Sequence, residues 1–463
     1  MDLFRRKSVH NLISEANTAS GLKRVMTSFD LALLGVGAII GAGIFVITGT
    51  AAVQTGPALV LSFVLAGLAC FFAALCYAEF ASTVPASGSV YTYSYATLGE
   101  FVAWVIGWDL VLEYLLAVSS IAAGWSGYFQ NFLKNFGVTL PEVFTAAPGT
   151  KAGISTVMDV PAFVIIILIT FLLSRGVSTS KIVNNIMVFM KVAVILLFLA
   201  VGVFHIEPTN YQPFMPFGVH GVLLGAASVF FAYIGFDAVA SAAEETKNPQ
   251  RDLPRGLLWS LGISTILYVV VSAVMTGVVP FMDYEGVNHP VTLALDRTGE
   301  MWASRIVDIG AIFGLMTGLI VMLYGQTRIF FSMSRDGLLP KFFSQVHSKF
   351  QTPFRSTWLL GALAAFIAAF VPLGNLAELV NIGTLFAFTL VAVGVLVLRK
   401  TQPDLPRGFR TPFVPLVPLI AIGLCLFLMT QLAVITWLAF GIWLVIGLAI
   451  YFLYSRKHSR LNE

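Results

Sequence analysis

The chain has 463 residues, of which 58% are hydrophobic and only 11% charged, and its mean hydropathy of +0.88 implies more apolar surface than a soluble core of this size requires. That composition places the chain in lipid, and no nucleic-acid partner is expected. The formal net charge of +4 says little by itself, because in a membrane protein the distribution of lysine and arginine among loops is what carries information.

A bilayer core about 30 Å thick needs about 20 apolar helical residues per crossing. Such stretches recur between short polar connectors, and twelve spans are predicted, over 29–53, 57–82, 98–131, 160–174, 180–204, 219–245, 255–280, 301–333, 356–372, 376–398, 413–431 and 434–455. The polar, basic segment 1–28 reads as a cytoplasmic N-terminal segment and not as a cleavable signal, since the first apolar stretch is too long for a signal core. Residues 29–398 form the expected ten-helix core. A cytoplasmic loop over 399–412, two further helices over 413–455 and a tail over 456–463 complete the chain.

With twelve spans, 22 of the 27 basic residues fall on the side of the termini. Lys134, Lys151, Arg297 and Arg305 lie opposite, and Lys191 lies inside a span. A missed helix would mix these charges, so the positive-inside rule predicts a multi-pass protein of the plasma (inner) membrane with both termini in the cytoplasm, solvated by lipid. Cys70, Cys76 and Cys425 lie in apolar segments, where packing is the expected role of a thiol. No metal site, cofactor, catalytic constellation or zinc-protease or phosphate-loop motif is expected, and the six histidines fall in loops, tails or span edges.

The first span carries the run Ile39-Ile40-Gly41-Ala42-Gly43-Ile44-Phe45. Its glycines permit either unwinding or close helix packing. A second interruption, Phe230-Phe231-Ala232-Tyr233-Ile234-Gly235-Phe236-Asp237, lies in the sixth span. Two breaks five helices apart favour unwinding, because spans one to five and six to ten would then form an inverted repeat with the breaks facing each other near the midplane. The half-helix starting near Ala42, with Gly43 and Ile44, would offer unpaired N–H groups and a positive dipole end to a carboxylate. Carbonyls near Ile40, Phe231, Ala232 and Ile234 would accept bonds from an ammonium group. Together they match the α-carboxylate and α-amine of an amino acid.

Lys191 is ten residues beyond Lys181 at the cytoplasmic edge, hence about 15 Å deep. A charge at that depth marks an ion or proton pathway, unless it is a strut paired to one carboxylate. Asp109 and Glu113 share one face of the third span. Glu113 is placed near the substrate pocket, where it could meet a cationic substrate group, pair with Lys191, or stay protonated and hydrogen-bonded to a neighbouring helix. Asp237 reads as a cap for the broken sixth helix. Glu244 and Glu245 read as loop carboxylates, either solvated or paired with cytoplasmic basic residues, that help close an inner gate.

The Gly41-Ala42-Gly43 break, the Gly235-Phe236-Asp237 segment and the stretch from Glu244-Glu245-Thr246-Lys247 through Leu253-Pro254-Arg255 resemble the cationic amino acid transporter branch of the amino acid-polyamine-organocation superfamily. The likeness spans essentially the whole chain. It implies an all-α membrane protein with a leucine-transporter-type 5+5 inverted repeat of ten core helices plus two peripheral ones. It also implies that Phe231 covers the outer side of a bound amino acid and that Lys191 matches a fifth-span lysine of proton-coupled relatives. The expected mechanism is that protonated Lys191 bonds to carbonyls around the break near Gly41 and Gly43, and that proton loss permits rocking. Met322 is expected to narrow the side-chain pocket, a departure from eukaryotic cationic members that turns the expectation toward small neutral amino acids such as alanine. Arginine or lysine transport and amino acid exchange are the alternatives, and a monomer is expected.

Overall fold

The computed structural model describes residues 5–6, 26–83, 89–150, 155–176, 181–243 and 246–462. Glu244, Glu245, most of segment 1–28 and the side chain of Lys181 lie outside the described residues. The described residues are almost entirely helical and form no strand beyond two isolated bridges.

Helix α1 (Ser28–Ile39) starts from a capping box in which Thr27 and Asp30 exchange backbone-to-side-chain hydrogen bonds. After a bend at Ile40 and Gly41 the chain resumes as a π-helical turn (Gly43–Ile47) that runs into α2 (Thr48–Thr55). Next come α3 (Leu59–Thr83), a short α4 (Ser89–Thr97), the long α5 (Glu100–Asn135), α6 (Val160–Ser174) and α7 (Lys181–Gly202). Helix α8 (Gly218–Val229) passes through a 3-10 turn (Phe230–Tyr233) and an unwound segment to the single turn α9 (Ala238–Ser241). Then follow α10 (Pro249–Val278), a short α11 (Pro290–Thr298), α12 (Met301–Arg335), α13 (Phe354–Phe370), α14 (Leu373–Thr401), α15 (Leu416–Thr430) and α16 (Val434–Ile450).

Each of the predicted spans overlaps one of these helices. Seven helical stretches among the described residues are long and apolar enough to cross a bilayer, the first of them running through α1 to α3, and four shorter apolar helices accompany them. Outward-facing rows such as Val64, Leu68 and Phe71 on α3, or Leu359, Leu363 and Phe366 on α13, stay exposed, as lipid-facing surface does and a water-facing surface does not. The apolar window of Glu100–Asn135 is 78% buried and that of Val434–His458 only 22%, so α5 is central and α16 peripheral.

Two details differ from the sequence reading. The polar connector after the sixth span is shorter than expected, because α10 begins at Pro249, where a fixed φ preorganises the first turn and Asp252 complements the helix dipole. Helices α4 and α11 were read as connectors.

Both described ends of the chain meet on Glu100, which is fully buried at the start of α5. Arg5 pairs with it at 3.1 Å, and Tyr95, Tyr451 and Ser459 donate hydrogen bonds to it. At the same end, Glu79 on α3 receives Arg399 at 2.6 and 2.9 Å, the Thr411 N–H at 2.8 Å and Arg407 at 3.1 Å, which pins the 399–412 loop under α3. Cys70, Cys76 and Cys425 are buried free thiols.

Because Glu79 is completely buried, its removal leaves Arg407 without a counter-charge. Glu79→Ala is expected to cost about 3–5 kcal/mol, the range for breaking a buried pair. Arg399→Met should cost less, since that guanidinium is 25% exposed. Melting curves of the two detergent-solubilised variants check the order; equal melting temperatures in variant and unmodified protein would show that the clamp is not holding the loop.

Candidate functional site

The break in α1 exposes particular backbone groups. Ile40 is extended, with ψ 98°, and its N–H makes the last helical bond, to Val36 at 2.8 Å. In an unbroken helix the carbonyl of Gly37 would accept from Gly41 and that of Ile39 from Gly43. Here Gly37 accepts from Lys191 Nζ at 2.8 Å. Ile39 accepts from the hydroxyl of Tyr268, on α10, at 2.7 Å, and the same hydroxyl lies 2.8 Å from the carbonyl of Ala232, in the sixth-span break. One phenolic proton thus serves a carbonyl from each interrupted segment. Downstream, the helix resumes through a π turn, a form frequent at functional sites, whose Phe45 carbonyl accepts from Tyr128.

The two interruptions are in van der Waals contact. A Cβ at Gly43 would run into the backbone of Ala232, so only glycine allows this approach. Gly235 has φ +108°, a conformation other residues rarely adopt, and it lies against the carbonyl of Ala38. At the end of α8, Asn381 of α14 donates to the carbonyls of Ala227 and Ser228 at 2.8 and 3.2 Å.

Beside the breaks lies one cavity. Six of the predicted site residues line it: Ala42, Gly43, Lys191, Phe231, Ile234 and Met322. Its remaining wall is mostly apolar or small, including Ala117 and Ile121 of α5 and Leu315, Gly318 and Val321 of α12, with Thr317 adding a hydroxyl. Ile40, Ile44 and Ala232 are buried within the breaks but do not line it, and neither does Glu113. The carbonyl of Ala232 is engaged by Tyr268, and that of Phe231 by the Ile234 N–H at 3.2 Å.

Lys191 is 2% exposed, and no acidic side chain forms an ion pair with it among the described residues. Its bond goes to Gly37, one turn before the expected Gly41 to Gly43 region. The stem reaches there by lying in the notch that Gly314 leaves on α12, where a Cβ would be 3.1 Å from Lys191 Cγ. Lys191 therefore touches the first broken helix and α12 at once.

Glu113 lies instead beside Asp237 of the sixth segment and Thr384 of α14, away from Lys191, so the pairing with Lys191 is not formed. Asp237 occupies the position preceding α9 but makes no capping bond with its side chain, contrary to the sequence reading. Asp109 is fully buried with neither carboxylate oxygen hydrogen-bonded, one of them 2.7 Å from where a Gly383 Cβ would be.

Sequence reasoning missed Tyr268 and Asn381. Each is a polar group within an apolar helix, and a buried tyrosine hydroxyl generally needs a partner, but nothing in its spacing names which backbone group that is.

A family model for amino acid permeases matches residues 26–453. The chain belongs to the amino acid permease family. It is accordingly a multi-pass membrane transporter and not an enzyme. A branched-chain amino acid permease, BcaP, of Bacillus subtilis (strain 168) is 59% identical over 461 residues, covering 100% of this chain and 99% of that relative. A methylthioribose transporter of the same organism is 54% identical over 462 residues, with 100% and 99% covered. The vacuolar cationic amino acid transporter 4 of Arabidopsis thaliana is 42% identical over 410 residues, covering 87% of this chain and 68% of the relative.

Tyr268→Phe removes one hydroxyl and leaves a carbonyl in each break short of a donor, a loss of about 1–3 kcal/mol. A lower melting temperature together with reduced uptake into proteoliposomes is the expected outcome. Unchanged values for both would show that Tyr268 does not hold the two breaks.

Proposed function

We propose that this permease performs proton-coupled uptake of neutral L-amino acids, small ones such as alanine and branched-chain ones, by alternating access across the cell membrane, with both termini cytoplasmic. The observation that carries this reading is the pair of interrupted helices meeting at a cavity in which Lys191 is the one charged lining residue. On this reading α1 and the α8 to α9 segment begin the two halves of a 5+5 inverted repeat, with α15 and α16 as peripheral helices. The N–H groups at the start of the resumed first helix hold the carboxylate, and the backbone around Ile40 and Ile234 receives the ammonium. Carbonyls already engaged, such as that of Ala232, retain a second lone pair. Phe231 covers the bound molecule, and Met322 limits the length of its side chain.

Neutral cargo is favoured over arginine or lysine because Glu113 and Asp237, the acidic side chains that could meet a cationic group, do not line the cavity. The branched-chain relative supports the same choice. Proton coupling is supported by Lys191, whose ammonium occupies a backbone site between the first broken helix and α12 without a carboxylate partner among the described residues. Release of that proton would loosen the contact with Gly37 and so weaken the coupling of the two elements.

The decisive comparison is competition against labelled alanine in proteoliposomes, using leucine, arginine and methylthioribose, with and without an imposed pH gradient. Alanine and leucine should compete and the gradient should drive accumulation. Competition by methylthioribose alone would overturn the amino acid reading. Lys191→Met should abolish gradient-driven accumulation while leaving a folded protein, as judged by its melting curve; retained accumulation would reject its role in coupling. Met322→Ser should extend uptake toward longer side chains, and an unchanged preference between alanine and arginine would reject its role in the pocket.

A further inference from the structure

The face of α12 that lines the cavity continues beyond it. Leu315 and Met322 belong to the cavity wall, and at about 3.6 residues per turn Leu319, Gln326, Phe330 and Met333 stand in the same row. Every member of that row is buried. All are apolar except Gln326, which is fully buried with neither its amide oxygen nor its amide nitrogen hydrogen-bonded.

Contacts with α5 fix the level at which this amide sits. Ile121 lies 3.5 Å from where a Gly318 Cβ would be, Tyr114 lies 2.6 Å from where a Gly325 Cβ would be, and Met333 lies 2.9 Å from where a Gly107 Cβ would be. The two helices therefore run antiparallel in step, and Gln326 lies one turn beyond Met322 toward Arg335. At that end of α12 the tail of the chain docks, with Ser455 donating to the Leu338 carbonyl at 2.6 Å and the Arg460 N–H to the Asp336 carbonyl at 3.1 Å. Between Gln326 and the docked tail the row is closed by Phe330, whose ring is 4.9 Å from that of Phe343, and by Met333 in the notch of Gly107.

We propose that Gln326 is a second, transient binding station for the amino acid on its way from the cavity to the cytoplasm. This rests on the transport reading above, in which the end of α12 at the termini is cytoplasmic. An amide without partners in an apolar row costs about 1–3 kcal/mol, and the large majority of buried polar side-chain atoms are paired. A leucine would fill the row without that cost. The amide is of use once the inner side opens, when Met322 on one side and Phe330 and Met333 on the other part around it. Its N–H groups can then donate to a carboxylate and its oxygen can accept from an ammonium, so one neutral group serves both ends of a zwitterion. Lacking charge, it holds the cargo weakly enough to let it leave, as a point of passage must.

The test uses the full chain in proteoliposomes. Gln326→Leu removes the unpaired amide at similar volume, so the melting temperature should hold or rise while alanine uptake falls about tenfold, the equivalent of roughly 1.4 kcal/mol for one lost hydrogen bond. Gln326→Asn keeps an amide and should retain more of the rate. Undiminished uptake in Gln326→Leu would overturn the assignment. So would a melting temperature that falls together with uptake, the mark of an amide that holds the fold through an ordered water. In Gln326→Cys, with Cys70, Cys76 and Cys425 replaced by alanine, a membrane-impermeant thiol reagent should modify position 326 from the side of the termini, and no modification from that side would equally overturn it. Labelling needs no cargo. A chain labelled there that carries leucine but not alanine would therefore correct the choice of cargo and keep the station, whereas alanine transport with position 326 unlabelled would remove the station alone.

Discussion

Backbone carbonyls released inside an apolar bundle must find donors, and the structure of this permease is organised around that requirement. Interrupting two helices frees the carbonyls of Gly37, Ile39 and Ala232, and leaves Ala227 and Ser228 at the end of α8. Donors arrive from three other helices: Lys191 from α7, Tyr268 from α10 and Asn381 from α14. Each unmade bond of this kind costs about 1–3 kcal/mol. The breaks are therefore maintained by side chains and not by local glycine flexibility alone. Glycine contributes at Gly43 and Gly235, where contact between the two segments leaves no room for a Cβ or requires a positive φ.

The identity of each donor determines what it can do. Tyr268 and Asn381 are neutral and keep their bonds at any ordinary pH. Lys191 is the donor whose bond is charge-assisted only while it holds a proton, and it is also the one that rests on α12. Under the proposed mechanism the first broken helix is thus pinned at one point by a fixed neutral contact and at another by a releasable charged one. Such an element has two arrangements separated by a local electrostatic event, which is what a coupled conformational change requires. A permanently paired lysine would not serve, because a nearby carboxylate would hold the proton and the side chain together.

Much of this organisation was legible in the sequence. Glycines at Gly41 and Gly43, and the Gly235-Phe236-Asp237 segment, located both interruptions. The depth of Lys191 along its helix singled it out, because charge is rare and expensive in an apolar span. What escaped were contacts between residues far apart in the chain. Tyr268 is 229 positions from Ile39, and Arg399 is 320 from Glu79. Periodicity and hydropathy report which face of a helix is apolar, but not which neighbouring helix that face meets. The short helices α4 and α11 were hidden for a different reason, since α4 spans only nine residues and has no apolar stripe strong enough to distinguish it from a connector. Asp237 reads as a cap because short carboxylates favour free backbone donors, yet its side chain makes no capping bond at the start of α9.

The separation of Lys191 from the acidic group at Asp109, Glu113 and Asp237 bears on cargo. Had Glu113 faced the cavity, a cationic substrate side chain could have ended on it. Instead the cavity wall includes Ala117, Ile121, Leu315 and Val321, and Glu113, beside Thr384 of α14, does not line it. A guanidinium placed against that wall would lose its hydration and find no carboxylate among the lining residues. An aliphatic side chain loses nothing there and gains contact area. On the proposed reading, changing cargo within this scaffold requires little alteration of the two breaks, because they would meet only the amino acid backbone. On the same reading it requires a change in the wall, where a bulky side chain such as Met322 lines the cavity.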